Sequence, residues 1–309
     1  MIEARGLSKR FGDKLAVDRL SFTVHPGRVT GFLGPNGAGK STTMRMIVGL
    51  DAPASGSVSV NGRPYRRLPY PMREVGALLE ARAAHGGRSA YQHLLCLAHM
   101  NAIPVKRVHE VLALVGLSEV AGKRTKGFSM GMGQRLGVAA ALLGDPRVLL
   151  FDEPVNGLDP EGIRWIRHLM KSLAAQGRTV FVSSHLMSEM QNTADHLIVI
   201  GRGRLIADCS MAEFIGRYSE QVVMVQTPQP DALVALVSQA GGQVGPAPDG
   251  VLVVRGLPAG RISDLAYERG VRLHEVATAR ASLEEAYMAL TAHAVEYRAG
   301  PYGPRRNQG

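Results

Sequence analysis

GPNGAGKST, residues Gly34 to Thr42, is the stretch on which the reading of this chain turns. It fits the pattern G-x-x-x-x-G-K-[ST] in full. The apolar run VTGFL precedes it and the helical pattern STTMRMIVGL overlaps its end. That is the strand–loop–helix setting in which the pattern acquires its chemistry. Glycines let backbone N–H groups approach phosphate oxygens, and a helix N-terminus favours the anion. On this reading Gly34, Pro35, Asn36, Gly37, Ala38 and Gly39 form a cradle. Lys40 reaches the β- and γ-phosphates, Ser41 ligates Mg²⁺, and Thr42 carries the motif into the helix.

A second site follows from RVLLFDEP, which places Asp152 and Glu153 at the end of another apolar strand. A carboxylate there fits Mg²⁺ coordination through water, and its neighbour can orient or deprotonate a water that attacks the γ-phosphate. Alone this signal is weak; beside an intact phosphate loop it is strong. In the following NGLDPEG, Asp159 and Pro160 read as N-cap and first residue of a helix. That reading leaves room for a second role of Asp159. His185 closes the apolar run TVFVSSH. The three runs are expected to end on one side of a sheet, where ligands bind in open α/β folds.

Up to about residue 220, short β-like runs alternate with helical patterns such as YQHLLCLAHM, VHEVLALVGL, QRLGVAAALL and EGIRWIRHLMKSLAAQ. The alternation predicts an α/β domain over 1–220 with a mainly parallel sheet, its strands buried on both faces. HLIVIGRGRLIADCS reads as a closing hairpin turned at Gly201 to Gly203. From 221 to 298 the order becomes βαββαβ plus a last helix, as in a small ferredoxin-like α+β domain. A turn is expected at Pro248-Asp249-Gly250, and a capping box at Ser282 and Glu285. Residues 299–309 read as a disordered tail.

The 309 residues allow roughly two domains and a sizeable core. No apolar run approaches the roughly 18 residues that a membrane helix needs. The start, MIEARGLSKRFG, lacks the apolar centre of a signal peptide, so an intracellular location is expected. Cys96 and Cys209 lie far apart without metal spacing and read as reduced thiols. A net charge of +10 points to an anionic partner. Nucleic acid, an anionic membrane surface and a phosphorylated ligand all satisfy it.

FSMGMGQR, Phe128 to Arg135, is a poor helix start by propensity, since it puts Gly131 and Gly133 at the mouth of a helix and Gly137 just inside. Each interior glycine costs on the order of 1 kcal/mol relative to alanine.

Together these residues resemble the ATP-binding subunit of an ATP-binding-cassette (ABC) transporter. The resemblance covers about residues 1–220. GPNGAGKST is similar to the family's phosphate loop, VLLFDE to its Walker B strand, NGLD to its D-loop and His185 to its switch histidine. FSMGMGQR falls at the family's signature, usually LSGGQ followed by x-Q-R, with Met130 and Met132 as departures. Phe11, in KRFG, sits where the family places an aromatic that stacks on adenine. Glu80, in VGALLE, stands where a glutamine usually senses Mg²⁺ and water; it keeps an oxygen ligand and adds charge. Val155 replaces a common threonine. The ferredoxin-like domain with its SLEE helix narrows the resemblance to ATPases of drug-, antibiotic- and bacteriocin-export systems, whose membrane channel is a separate polypeptide.

The resemblance implies a P-loop NTPase fold with a helical subdomain, using ATP and Mg²⁺. It implies two subunits, identical or similar, sandwiching two ATP molecules. Each ATP would lie between one phosphate loop and the partner's Ser129, Gly131 and Gly133, with Asp159 nearby. Glu153 would activate water, Lys40 neutralise charge and His185 hold the γ-phosphate. Ser41, Asp152 and Glu80 would serve the metal. A membrane permease would hold the chain at the cytoplasmic face of the cell membrane and receive its motion around Glu80 to Tyr91. A nucleic-acid-associated ABC-type ATPase is the alternative, but the chain has neither a second cassette nor a long coiled-coil insertion, and no nucleic acid is expected. A module that holds ATP without hydrolysing it is disfavoured by Glu153 and His185.

Overall fold

The computed structural model describes residues 1–80, 84–218, 222–278 and 282–291. In chain order the elements begin with β1 (Ile2–Phe11), β2 (Lys14–Val24), β3 (Val29–Leu33), α1 (Lys40–Ile47) and β4 (Ser55–Val60). Next come α2 (Pro71–Glu74), β5 (Val75–Leu78), α3 (Ala90–Met100), α4 (Lys106–Leu114), α5 (Met130–Leu142) and β6 (Val148–Asp152). Then follow α6 (Pro160–Ala175), β7 (Thr179–Ser183), α7 (Met187–Thr193), β8 (His196–Gly201), β9 (Arg204–Ser210) and α8 (Met211–Tyr218). The chain continues through β10 (Val222–Gln226), α9 (Pro230–Gln239), β11 (Gln243–Pro246), β12 (Leu252–Arg255), α10 (Ala259–Glu268), β13 (Glu275–Thr278) and α11 (Leu283–Thr291). Two compact units result, Met1–Met211 and Ala212–Leu290. The expected helix beyond Thr291 and the expected tail 299–309 lie outside the described residues.

The first unit is built on a six-stranded sheet in the order β5-β6-β7-β3-β8-β9. All its pairs are parallel except β8 with β9. Both β3 and β7 are buried along their whole length, as continuous apolar runs in a covered parallel sheet should be. The hairpin closes where expected: Gly201 pairs with Arg204 across Arg202 and Gly203, which have φ of 49° and 78°. Two positive φ values in succession are what a two-residue type I′ turn demands.

A second sheet, β2-β1-β4, is antiparallel and was not separable from the sequence. Its pairing shifts register three times along β1, which breaks the alternation that would have announced it. Phe22 of this sheet joins Phe32 and Phe181 of the larger one. Their ring centroids lie 5.9, 5.7 and 4.9 Å apart, and all three side chains are buried. This aromatic cluster fastens the two sheets together.

The glycine inside α5 is explained by contact with β5. A methyl group on Gly137 would collide with Leu78 Cδ1, and one on Gly76 with the carbonyl of Ala141. The helix therefore lies directly on the strand, and the propensity cost is offset by that approach.

In the second unit the strand order β11-β12-β10-β13 is antiparallel throughout. Numbered within the unit this is 2-3-1-4, the ferredoxin-like arrangement of βαββαβ. Val223, Val225, Leu233, Val237, Val254 and Ile262 form its core. The expected turn is present, with Asp249 at φ 59° and Gly250 at φ 73°. Ser282 Oγ accepts from the Glu285 N–H at 3.1 Å, and the Glu285 carboxylate accepts from the Ser282 N–H at 3.4 Å, completing the capping box. Among the described residues no helix is long and apolar enough to cross a membrane.

Phe181→Ala should remove about 3–5 kcal/mol of stability from the first unit by opening a cavity between its sheets. Urea unfolding followed by circular dichroism would measure the loss.

Candidate functional site

The phosphate loop leaves β3 at Leu33 and enters α1 at Lys40. Gly39 has φ 100°, and a Cβ there would stand 2.5 Å from the Ala16 carbonyl oxygen of β2, so only glycine fits. No side chain caps α1 and its first turn carries no acid. Its leading N–H groups thus have the polarity to receive an anion. Lys40 is buried, and its Nζ donates to the carbonyls of Gly34 at 2.7 Å and Pro35 at 3.3 Å. Burial pushes the Lys40 pKa down, while the nearby carboxylates of Glu153 and Asp152 hold it up. Ser41 is exposed one residue further on.

The sheet order places β6, β7 and β3 side by side and parallel, so their C-terminal ends share one edge. Asp152 is in register with Ser183, which is in register with Phe32. Ser183 is fully buried. Its hydroxyl donates to Asp152 Oδ1 and accepts from the Glu153 N–H at 3.0 Å. Glu153 adopts a left-handed φ of 51°, uncommon for a residue with a side chain. From there Glu153 Oε2 lies 2.7 Å from His185 Nδ1 and accepts the His185 backbone N–H at 3.4 Å. A glutamate, a histidine and a lysine are thus gathered at one sheet edge.

The donors at this edge suit Mg²⁺. The Ser41 hydroxyl and the Asp152 carboxylate offer hard oxygens. Among the described residues there is no group of three or more His, Cys, Asp or Glu that could cage a metal. Mg²⁺ keeps several waters and takes one or two protein oxygens beside substrate phosphates, so a sparse set fits it. Glu80 stands apart. It follows β5 with its side chain 70% exposed, and its carboxylate faces Arg45 Nη1 at 3.6 Å.

Phe11 ends β1 and pairs with Lys14 across a tight turn; its ring is half exposed, with Lys9 Nζ 5.0 Å from the centroid. The same hairpin sends Ala16 against the phosphate loop at Gly39. Ser129 is the N-cap of α5 and accepts from the Met132 N–H at 3.2 Å. Ser129 and Gly133 line a cavity of about 310 Å³ that includes no residue of loop 34–42. Gly131 has a reason within its own chain: a Cβ there would lie 3.0 Å from the Gly157 carbonyl oxygen. Asp159 caps α6, accepting from the Gly162 N–H at 2.8 Å with Pro160 as the first helical residue.

Ser183 escaped the sequence reading, and Gln134 entered it only as the Q of x-Q-R, with no role assigned. Ser183 carries a signal only as a polar residue closing an apolar strand. Gln134, 2% exposed, sits on the buried face of α5 one turn before Val138, and its Nε2 donates to the Glu153 carbonyl at 3.2 Å.

Comparison with known proteins identifies the family. The family model described as ABC transporter matches residues 17–156, and a domain of unknown function matches 221–284. The bacitracin transport ATP-binding protein BcrA of Bacillus licheniformis is 34% identical, over 94% of this chain and 97% of its own. YhcH of Bacillus subtilis (strain 168), described as an uncharacterized ABC transporter ATP-binding protein, is 35% identical over 96% and 97%. A solved ATP-binding subunit of an ABC transporter superposes with a TM-score of 0.65 at 26% identity, covering 71% of this chain and 93% of that one. A dimeric cassette in a post-hydrolysis state with ADP and Pi shares the fold at a TM-score of 0.63 and 22% identity, over 68% and 99%. The chain belongs to the ABC transporter family. It is an ATP-binding subunit of such a transporter, an ATPase coupled to transport.

Ser183→Ala should lower ATP turnover by about tenfold or more, because it frees the Asp152 carboxylate and leaves a backbone N–H unpaired. A phosphate-release assay at saturating ATP would read the change.

Proposed function

We propose that this subunit drives export of an antibiotic, drug, peptide or lipid-like substrate through a separate membrane permease. The full-length similarity to a bacitracin transport ATP-binding protein supports the substrate class. The hydrolytic reading rests chiefly on one observation, Glu153 Oε2 at 2.7 Å from His185 Nδ1 on the edge shared with Lys40.

Glu153 takes the proton of the attacking water, and the His185 imidazole steadies both that carboxylate and the γ-phosphate. Lys40 turns its ammonium from the loop carbonyls to the β- and γ-phosphates. Ser41 and Asp152 would hold Mg²⁺, which supplies positive charge opposite the phosphate oxygens. Phe11 offers an exposed face to adenine. The active form is a sandwich of two copies, or of this chain with a similar ATPase. In it the capped start of α5, from Ser129, meets the partner's ATP and supplies N–H groups.

The permease docks on a cavity of about 470 Å³ lined by Arg45, Leu50, Tyr65, Glu80, His93 and Gly133. This groove joins the end of α1 to β5 and α5, so motion of α5 reaches the docked segment. Residues 81–83 of the expected coupling region lie outside the described residues. Docking there holds the chain at the cytoplasmic face of the membrane. No observation favours the nucleic-acid alternative.

Glu153→Gln should bind ATP, hydrolyse it at least about a hundredfold more slowly, and collect as a closed dimer on size-exclusion chromatography with ATP. Turnover at the wild-type rate would remove Glu153 as the base. Ser129→Arg should fold normally yet lose ATP-dependent dimer closure, with ATP binding to the monomer retained. Equilibrium nucleotide binding and light scattering would separate those two effects.

A further inference from the structure

Gln134 is an amide buried in a helix that otherwise turns apolar side chains inward. Its Nε2 donates to the Glu153 carbonyl, while its Oε1 is buried without a hydrogen-bond partner. A half-satisfied buried amide is unfavourable, so a second benefit is expected where one is found. The carbonyl it holds belongs to the residue with φ 51° that aims the carboxylate at His185. The Asn156 N–H reaches the same oxygen at 3.2 Å.

α5 touches the other end of this loop as well. Gly131 lies against the Gly157 carbonyl, and the Met130 side chain occupies the space a Gly157 Cβ would need. The first turns of α5 therefore grip both ends of the segment from Glu153 to Gly157, all within one chain. In the sandwich, however, the start of α5 answers to the partner's ATP.

We propose that Gln134 is a positioning residue that ties Glu153 in one ATP site to the helix facing the other. Closure of α5 on the partner's nucleotide is carried by the amide to the Glu153 carbonyl, which fixes the carboxylate against His185. Each site then hydrolyses well only when the opposite site is filled. This rests on the sandwich and on Glu153 as base, as proposed above.

The test uses the full chain with Gln134→Met, which keeps length and burial but removes the donor. The expected result is a kcat at least about tenfold lower, an unchanged ATP dissociation constant, an unfolding temperature no lower than wild type, and a Hill coefficient for ATP reduced towards one. Wild-type kcat and Hill coefficient in this variant would overturn the proposal. So would a joint loss of ATP affinity, unfolding temperature and kcat, the mark of a merely structural amide. Glu153→Gln measured alongside separates the premises. If that variant is inactive while Gln134→Met is normal, only the coupling fails. If both turn over normally, the base assignment fails and the coupling with it.

Discussion

The carboxylate just past the end of β6 is aimed by the sharp turn the backbone makes there. Glu153 makes that turn at φ 51°, and it is held at its N–H, its carbonyl and its carboxylate. Its N–H is bound by Ser183 Oγ, its carbonyl by Gln134 Nε2 and its carboxylate by His185 Nδ1. These partners come from β7, from α5 and from the residues after β7. A conformation unfavourable by itself persists because surrounding elements over-determine it. The sheet order β6-β7-β3 follows from the same need, since it lets one serine clamp Asp152 and Glu153 while the phosphate loop stands one strand away.

The segment from Ser129 to Gly137 shows a local helix signal meeting long-range packing. Ser129 caps α5, as its type and position imply. The glycines that weaken this helix are matched by close approaches inside the chain: Gly131 to the Gly157 carbonyl and Gly137 to Leu78 of β5. Packing within the chain is by itself a reason for small residues there. Met130, which departs from the family's usual glycine, lies over Gly157 and fills the gap beside the loop after Walker B.

Glu80 and Phe11 illustrate a different relation between sequence and site. Both positions were legible only through family resemblance, since a lone exposed carboxylate and a lone exposed aromatic have no intrinsic pattern. In the structure Glu80 meets Arg45 in the groove beside β5, whereas Phe11 is set by a hairpin whose next strand presses on Gly39.

The sequence by itself determined the elements whose signals are local. GPNGAGKST, the apolar runs of β3, β6 and β7, the caps at Asp159 and Ser282, and the Arg202-Gly203 turn could all be read from adjacent residues. The order βαββαβ likewise announced the second unit. Only the tertiary structure decided what depends on long-range register. The antiparallel sheet β2-β1-β4 is obscured by bulges, and the aromatic cluster of Phe22, Phe32 and Phe181 forms between distant strands. Ser183 and Gln134 acquire meaning because a parallel sheet and a helix laid on β5 bring residues 19 to 30 positions apart into hydrogen-bond contact with Glu153. Hydrogen bonds of that span leave no period in the sequence; they exist only once packing has fixed where each backbone group points.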